Sequence, residues 1–166
     1  MEKIKYPHQF LCDAMLGSLA KWLRVLGFDT VYYVHTTDRE IVARAINDHR
    51  TILTRDHHFL HIKAVQYLLM IDSLELNRQI GQVTYDLNLI PEVRLFSRCM
   101  ECNAALNPVI KEQVCDQVPP YVYEHHNEFK QCLGCGRIYW AGNHSEEIKE
   151  RLRLIFKDDV QLIDDL

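Results

Sequence analysis

The 166-residue chain is poor in the residues that loosen or break a backbone, with only 6 Gly and 5 Pro. That scarcity excludes collagen-like sequence and leaves no long flexible linker. No run approaches the roughly 18 uncharged apolar residues that a membrane helix requires. Excess positive charge is also missing: 19 Lys+Arg face 23 Asp+Glu, a net of −4. Residues 1–92 carry 10 basic and 11 acidic side chains, residues 93–156 carry 8 and 8, and the last ten hold one Lys and four Asp. The body is therefore nearly neutral and most of the deficit sits in the tail. A broad basic surface for non-specific nucleic-acid binding is not visible, and only a local basic strip is left open. The N-terminal stretch has early lysines followed by apolar residues. Asp13 interrupts that run, and Lys21 and Arg24 follow without a small-x-small cleavage site. It is expected to be mature structure rather than a signal peptide. The implied compartment is a reducing cytoplasm, where six cysteines are thiols or metal ligands and not a disulfide framework.

What is present is ordinary globular composition, 48% hydrophobic and 25% charged, enough for one domain and a small appendage. The first half alternates strand and helix patterns. Phe10-Leu11-Cys12 is a short apolar run ending at Asp13. Leu16, Leu19, Ala20, Leu23 and Leu26 then recur at helical spacing, and Gly27 supplies a stop. Thr30 to Val34 is β-branched and aromatic, a strand pattern. Thr37 and Glu40 have capping-box spacing ahead of a second helix bearing Ile41, Val42, Ala45 and Ile46. Thr51 to Thr54 and Tyr67 to Ile71 read as strands, 57–64 as a short helix and 74–88 as a long one. Such alternation predicts an α/β fold, a parallel sheet with helices on both faces and right-handed crossovers.

A boundary falls near Asn88 to Pro91, which divides the chain into an α/β domain at 1–92, a cysteine-bearing section with a closing helix at 93–156, and an acidic tail at 157–166. Short strands are expected at Tyr121 to Tyr123 and Arg137 to Trp140. A helix over 145–156, capped by Ser145, is expected to close the section.

Cys99 and Cys102 form one C-x-x-C pair and Cys132 and Cys135 another, 29 residues apart. Each tight turn aims two thiolates at one point, and two turns complete a tetrahedral Zn²⁺ site. Gly134 and Gly136 let backbone amides turn toward sulfur. About 50 residues bury little core, so a metal would add folding free energy. Four thiolates leave no open position, so the site is expected to be structural. The long gap predicts a hairpin or short helix between the knuckles. Cys12 reads as a buried strand residue, and Cys115 has no assigned role.

An Asp stands at or just past the end of every predicted strand in the first half: Asp13, Asp38, Asp56 and Asp72. A parallel sheet brings all its carboxyl ends to one edge, where ligand sites form. Clustered carboxylates repel unless a cation sits among them. Oxygen ligands suit Mg²⁺ or Mn²⁺, which activate water and stabilise charge on phosphate oxygens. The competing explanation is local: Asp is a favoured helix cap, and each of these residues lies near a helix start.

Lys21 and Arg24 share a flank of the first helix, and Arg55 adjoins Asp56. These three could hold a phosphate backbone beside the acidic edge, or simply form a solvated face. Lys130, Arg137, Tyr139 and Trp140 surround the second knuckle, where aromatics and cations could stack single-stranded bases or pack a small core. Of nine histidines, most (His57, His58, His61, His125 and His126 among them) read as surface polar residues, and His144 is singled out for test.

The ordered stretches Phe10-Leu-Cys-Asp13 through Gly27, Asp38-Arg-Glu40-Ile, Ile52-Leu-Thr54-Arg55-Asp56, Ser97-Arg98-Cys99-Met-Glu-Cys102-Asn103, Val118-Pro-Pro-Tyr121-Val-Tyr123-Glu124 and Cys132 through His144 closely resemble the Mut-seven C-terminal ribonuclease family. The resemblance runs from about residue 8 to 150. It implies a PIN-like three-layer sheet followed by a zinc ribbon, and a divalent-metal endoribonuclease. Asp13, Asp38 and Asp56 match the family's acidic positions, with Asp72 as a fourth and Glu40 as a substitute for Asp38. Ala141 departs from a basic side chain after Trp140. On this basis Asp13, Asp38 and Asp56 are expected to hold Mg²⁺ or Mn²⁺, while Lys21, Arg24, Arg55 and Arg137 contact RNA. A protein partner is left open. The rival expectation is a non-catalytic RNA-binding or protein-interaction module built on a structural zinc ribbon.

Overall fold

A computed structural model describes residues 6–157 and Asp159, with the side chains of Asn143 and His144 outside that description. The expectations for His144 and for most of the acidic tail therefore lie outside the described residues.

Four parallel strands, β1 (Phe10–Cys12), β2 (Thr30–Tyr32), β3 (Thr51–Thr54) and β4 (Leu68–Met70), pair in the order β2-β1-β3-β4. The central strands β1 and β3 are buried throughout, as continuous apolar runs in a doubly covered sheet should be. Alternation splits their side chains between two cores. Phe10, Cys12 and Leu53 face one layer with Leu19 and Leu23 of α1 (Gly17–Val25) and Ile80 and Val83 of α3 (Leu76–Asp86). Leu11 and Ile52 face the other, with Ile41, Val42 and Ala45 of α2 (Asp38–Asn47) and Phe59 of the 3-10 turn His57–His61. Three layers result, as the alternation predicts. Each fully buried leucine of α1 contributes roughly 1.5–3 kcal/mol by leaving water.

The end of α1 shows why Gly27 stands there. Gly27 has φ 97°, its amide donates to the Arg24 carbonyl and the Phe28 amide donates to Leu23, a left-handed helix cap. A Cβ would also lie 2.5 Å from the Arg94 carbonyl oxygen, so the chain returning from the first domain closes against this glycine.

The second sheet is antiparallel, β5 (Leu106–Val109), β6 (Phe129–Cys132) and β7 (Ile138–Trp140) in that order. Between the knuckles lies a short helix, α4 (Pro120–His125). It replaces the strand expected at Tyr121 to Tyr123. Pro120 occupies the first helical turn, where its missing N–H leaves no bond unmade, and the Tyr123 amide donates to the Pro119 carbonyl. The last helix, α5 (Asn143–Ile155), begins at a Gly142 cap rather than at Ser145, whose hydroxyl donates back to the Gly142 carbonyl.

The sequence division assigns that last helix to the cysteine-bearing section, but it packs elsewhere. Leu152 and the following Phe156 are fully buried in the first core, and Arg151 lies over the Trp22 ring of α1 at 4.7 Å. Its Nε donates to Asn77 of α3. Among the described residues no helix is long and apolar enough to cross a membrane.

Candidate functional site

The order β2-β1-β3-β4 places a reversal of winding between β1 and β3, because the chain leaves β1 toward one side and returns to the other. Ligand sites in open parallel sheets form beyond the carboxyl ends of the strands at such a point. Asp13 follows β1 there and Asp56 lies two residues past β3. Asp13 is buried; one carboxylate oxygen accepts from the Met15 amide at 2.9 Å and the other from the Thr54 hydroxyl. The same hydroxyl oxygen accepts from the Asp56 amide at 2.9 Å. Thr54 thus ties the two acidic positions together across neighbouring strands. The Asp56 carboxylate is exposed and caps the next turn, accepting from the His58 amide at 2.8 Å. The His58 ring in turn lies 3.9 Å from the carboxylate of Asp38, which opens α2 behind the Thr37 cap.

Two of the four aspartates, Asp13 and Asp56, are hydrogen-bonded to one another through Thr54, and Asp38 approaches them only through the longer His58 contact. Asp72 turns instead to α3, where Gln82 accepts from its amide at 3.0 Å and donates to its carboxylate at 3.3 Å. Glu40, weighed as a substitute for Asp38, is committed to the capping box: its carboxylate accepts from the Thr37 amide and hydroxyl. Those hydrogen bonds hold its pKa below the ordinary value. Thr54 lies within the quoted Thr-Arg-Asp stretch but carries no assigned role there, and His58 is grouped with surface histidines. Neither role is readable without the strand register.

Among the described residues no set of three or more potential ligands that includes these aspartates has its ligand atoms within 4.8 Å of one another. The donor chemistry is all carboxylate oxygen, which fits a hard cation held through one or two carboxylates and water rather than a closed protein cage.

The basic residues separate. Arg24 corrects the expectation of RNA contact: it is buried, and its guanidinium donates to the carbonyls of Thr30 at 2.8 Å, Met100 at 3.0 Å and Glu101 at 2.9 Å. It fastens the first knuckle to the α/β domain. Lys21 is exposed and pairs with Glu101 at 2.9 Å. Arg55 keeps Nε out of solvent with no hydrogen-bond partner among the described residues. Arg137 is exposed, with the Glu101 carboxylate 3.9 Å away. Lys130 donates to the Phe96 carbonyl and is a structural tie between segments.

The four knuckle cysteines converge. Their sulfurs all lie within 4.8 Å of one another, with Cys99 to Cys135 at 3.7 Å and Cys102 to Cys132 at 3.2 Å, and all are free thiols. Amides of Cys102, Gly134 and Cys135 point at the sulfurs. Gly134 is required by space as well, since a Cβ there would sit 2.8 Å from that of Ala104. Burial pushes the Cys99 thiol up, but the Tyr139 hydroxyl at 3.0 Å and the backbone amides outweigh it and bring it down to about 6. Burial and that same sulfur raise the Tyr139 pKa, so Tyr139 keeps its proton. Four convergent sulfurs with amide support fit a tetrahedral structural Zn²⁺. Cys12 is fully buried, as expected of a core strand residue, and Cys115 is exposed.

No curated protein and no solved structure matches the chain. A family model described as the Mut7-C RNAse domain matches residues 8–152, a span that holds the whole strand edge and all four knuckle cysteines. The chain belongs to the Mut7-C RNAse domain family.

Proposed function

We propose that the protein is a divalent-metal endoribonuclease whose site is the carboxyl edge between β1 and β3. The observation that carries this is the Thr54 hydroxyl, which joins Asp13 to Asp56 where the winding reverses. Asp13 and Asp56 would hold Mg²⁺ or Mn²⁺, with Asp38 facing them across His58. Such an ion supplies positive charge for the phosphate oxygens and makes water acidic enough to act near neutral pH. Thr54 orients the buried carboxylate of Asp13, and the exposed Asp56 and half-buried Asp38 leave the edge open to a polymer. Arg55, adjoining Asp56 in sequence, and Lys21 on α1 would steady the backbone phosphates. Structural Zn²⁺ would hold the ribbon. Six free cysteines suit a reducing compartment such as the cytoplasm.

The test is cleavage of RNA with Mg²⁺ or Mn²⁺ by the wild type and by Asp13→Asn combined with Asp56→Asn. Hydrolysis should leave 5′-phosphate and 3′-hydroxyl ends, and the double variant should lose it; unchanged activity rejects the site. One observation favours a second reading, a non-catalytic RNA-binding or protein-interaction module: the aspartates do not form a close-set ligand group. RNA binding without turnover across several divalent metals would establish that reading instead.

A further inference from the structure

An open groove of about 360 Å³ lies on the ribbon between the first knuckle and β7, with Glu101 and Met100 on one wall and Arg137, Tyr139 and Trp140 on the other. Its volume falls in the range of small-ligand sites, about 300–1,000 Å³. Three properties of its walls bear on what it holds. β7 is an edge strand, and it ends on Trp140, which remains 38% exposed at the groove. The Arg137 side chain is 60% exposed, and its approach to Glu101 at 3.9 Å is too long for a hydrogen bond. Glu101 is flanked by two cations, Lys21 from α1 and Arg137, so the polar wall carries one positive charge in excess, on a chain of net −4.

We propose that this groove binds one unpaired nucleotide of the RNA, with its base on Trp140, the base's N–H edge on Glu101 and a flanking phosphate on Arg137. The proposal rests on the nuclease reading only in taking RNA as the ligand. An exposed indole offers a stacking face to any base, and a carboxylate accepts from base N–H groups. Guanine presents two adjacent donors, N1–H and the N2 amino group, where uracil presents one, so the groove favours guanine over uracil. The groove is linked to the acidic edge through α1. Lys21, which holds Glu101, is one turn beyond Gly17; Gly17 lies against the Tyr32 ring, and the Tyr32 hydroxyl donates to the carbonyl of Ala14, the residue after Asp13. Asp13 caps the 3-10 turn Ala14–Leu16 that leads directly into α1. The groove would therefore hold a nucleotide of the same strand at a distance from the acidic edge, not the nucleotide being cleaved.

The test uses the full zinc-loaded chain without Mg²⁺ or Mn²⁺, and fluorescence anisotropy of a labelled single-stranded RNA hexamer of mixed sequence. Trp140→Ala should weaken binding about 5- to 100-fold, and Trp140→Phe should restore most of it. Arg137→Ala should reduce the slope of log affinity on log salt by about 0.7. In a Trp22→Phe background Trp140 is the only tryptophan, and its emission should be quenched by GMP at lower concentration than by UMP. Glu101→Gln should remove that difference. Should Trp140→Ala fail to retain zinc, the salt slope and the quenching decide alone. Hexamer affinity unchanged in Trp140→Ala and Arg137→Ala, or no RNA binding by the wild type, overturns the groove. Cleavage that persists while the groove variants bind normally rejects the groove and leaves the catalytic reading standing. Binding lost in the variants of a protein that never cleaves RNA does the reverse.

Discussion

Replacing Arg24 with methionine separates a structural arginine from a nucleic-acid contact. The guanidinium makes three charge-assisted bonds, to the carbonyls of Thr30, Met100 and Glu101. The Thr30 bond is buried, so removal strands an acceptor out of water, at about 1–3 kcal/mol. The other two acceptors are part-buried and can recruit water, which limits their loss to about 0.5–1 kcal/mol each. Burial is the main influence on the Arg24 pKa and pulls it down, a sign that the charge resists its surroundings; removing the charge returns part of that cost. The net expectation for Arg24→Met is a loss of about 2–4 kcal/mol, methionine keeping much of the apolar stem. For a chain of this size that lowers the thermal midpoint by about 5–15 °C. Arg24→Lys should recover little, because one ammonium cannot reach three diverging carbonyls. The assay is thermal unfolding at saturating zinc, with hydrogen exchange at the amides of residues 99–103, which should lose protection while zinc content holds. A midpoint within about 2 °C of wild type and unchanged exchange would refute the assignment.

Thr54→Val should lower the RNA cleavage rate about 10- to 100-fold at saturating substrate with little change in KM, as for loss of a residue that orients a metal ligand, and Thr54→Ser should restore it; a Val variant at wild-type kcat denies Thr54 its orienting role. Asp29 accepts from Arg50 at 2.7 Å and from Asn103 at 2.8 Å, with Arg98 at 3.7 Å. Burial pulls its pKa up, but these partners win and hold it below the ordinary carboxylate value. A depressed folded pKa contributes stability above the unfolded value near 4 and loses it as pH falls through the folded one. Asp29→Asn should therefore be less stable than wild type at pH 7, by urea midpoint, with the gap closing below about pH 4. Cys132→Ser, or a strong chelator, should release zinc and expose the amides of β5 to β7 to rapid exchange; a variant that keeps one tightly held zinc would exclude the four-sulfur site.

Much of the first domain is legible because its signals are local. Phe10 to Cys12 and Thr51 to Thr54 are short runs that only a doubly covered strand can bury, and Leu19, Leu23 and Leu26 fall on one helical face. The cysteine pairs are legible for the same reason, since turn geometry fixes where each pair points. What fails is whatever depends on a distant partner. Tyr121 to Tyr123 has strand composition, yet the two prolines before it and a six-residue length decide for helix. The apolar stripe of the last helix says that one face is buried, not that Leu152 meets the first core. Arg24 sits on the helix flank that ordinarily meets solvent, and only Met100 and Glu101, 76 and 77 residues away, turn that flank into an interior. At the acidic edge the strand ends locate the aspartates, but a threonine in a buried strand is ambiguous until register sets its hydroxyl beside Asp13.

The first knuckle has a second consequence for the sheet. β2 is an edge strand, and in its parallel register with β1 the N–H and C=O of Thr30 both point outward, away from β1. Unpaired backbone of that kind recruits other strands. Here both groups are taken: the side-chain carbonyl of Asn103 in the first knuckle accepts from the Thr30 amide at 3.0 Å, and Arg24 of α1, itself bonded to the knuckle carbonyls, donates to the Thr30 carbonyl at 2.8 Å. Asn103 reaches that position because it adopts φ 69°, a left-handed backbone that asparagine tolerates better than most residues, immediately after Cys102. The residue that ends the knuckle is thus the residue that closes the sheet edge. The last helix, which follows β7 in the chain, packs on the first core through Leu152 and Phe156, and its Arg151 donates to Asn77 of α3. The cysteine-bearing ribbon is thus anchored to the α/β domain at two places, the first knuckle on Thr30 and the helix that follows β7 on the first core.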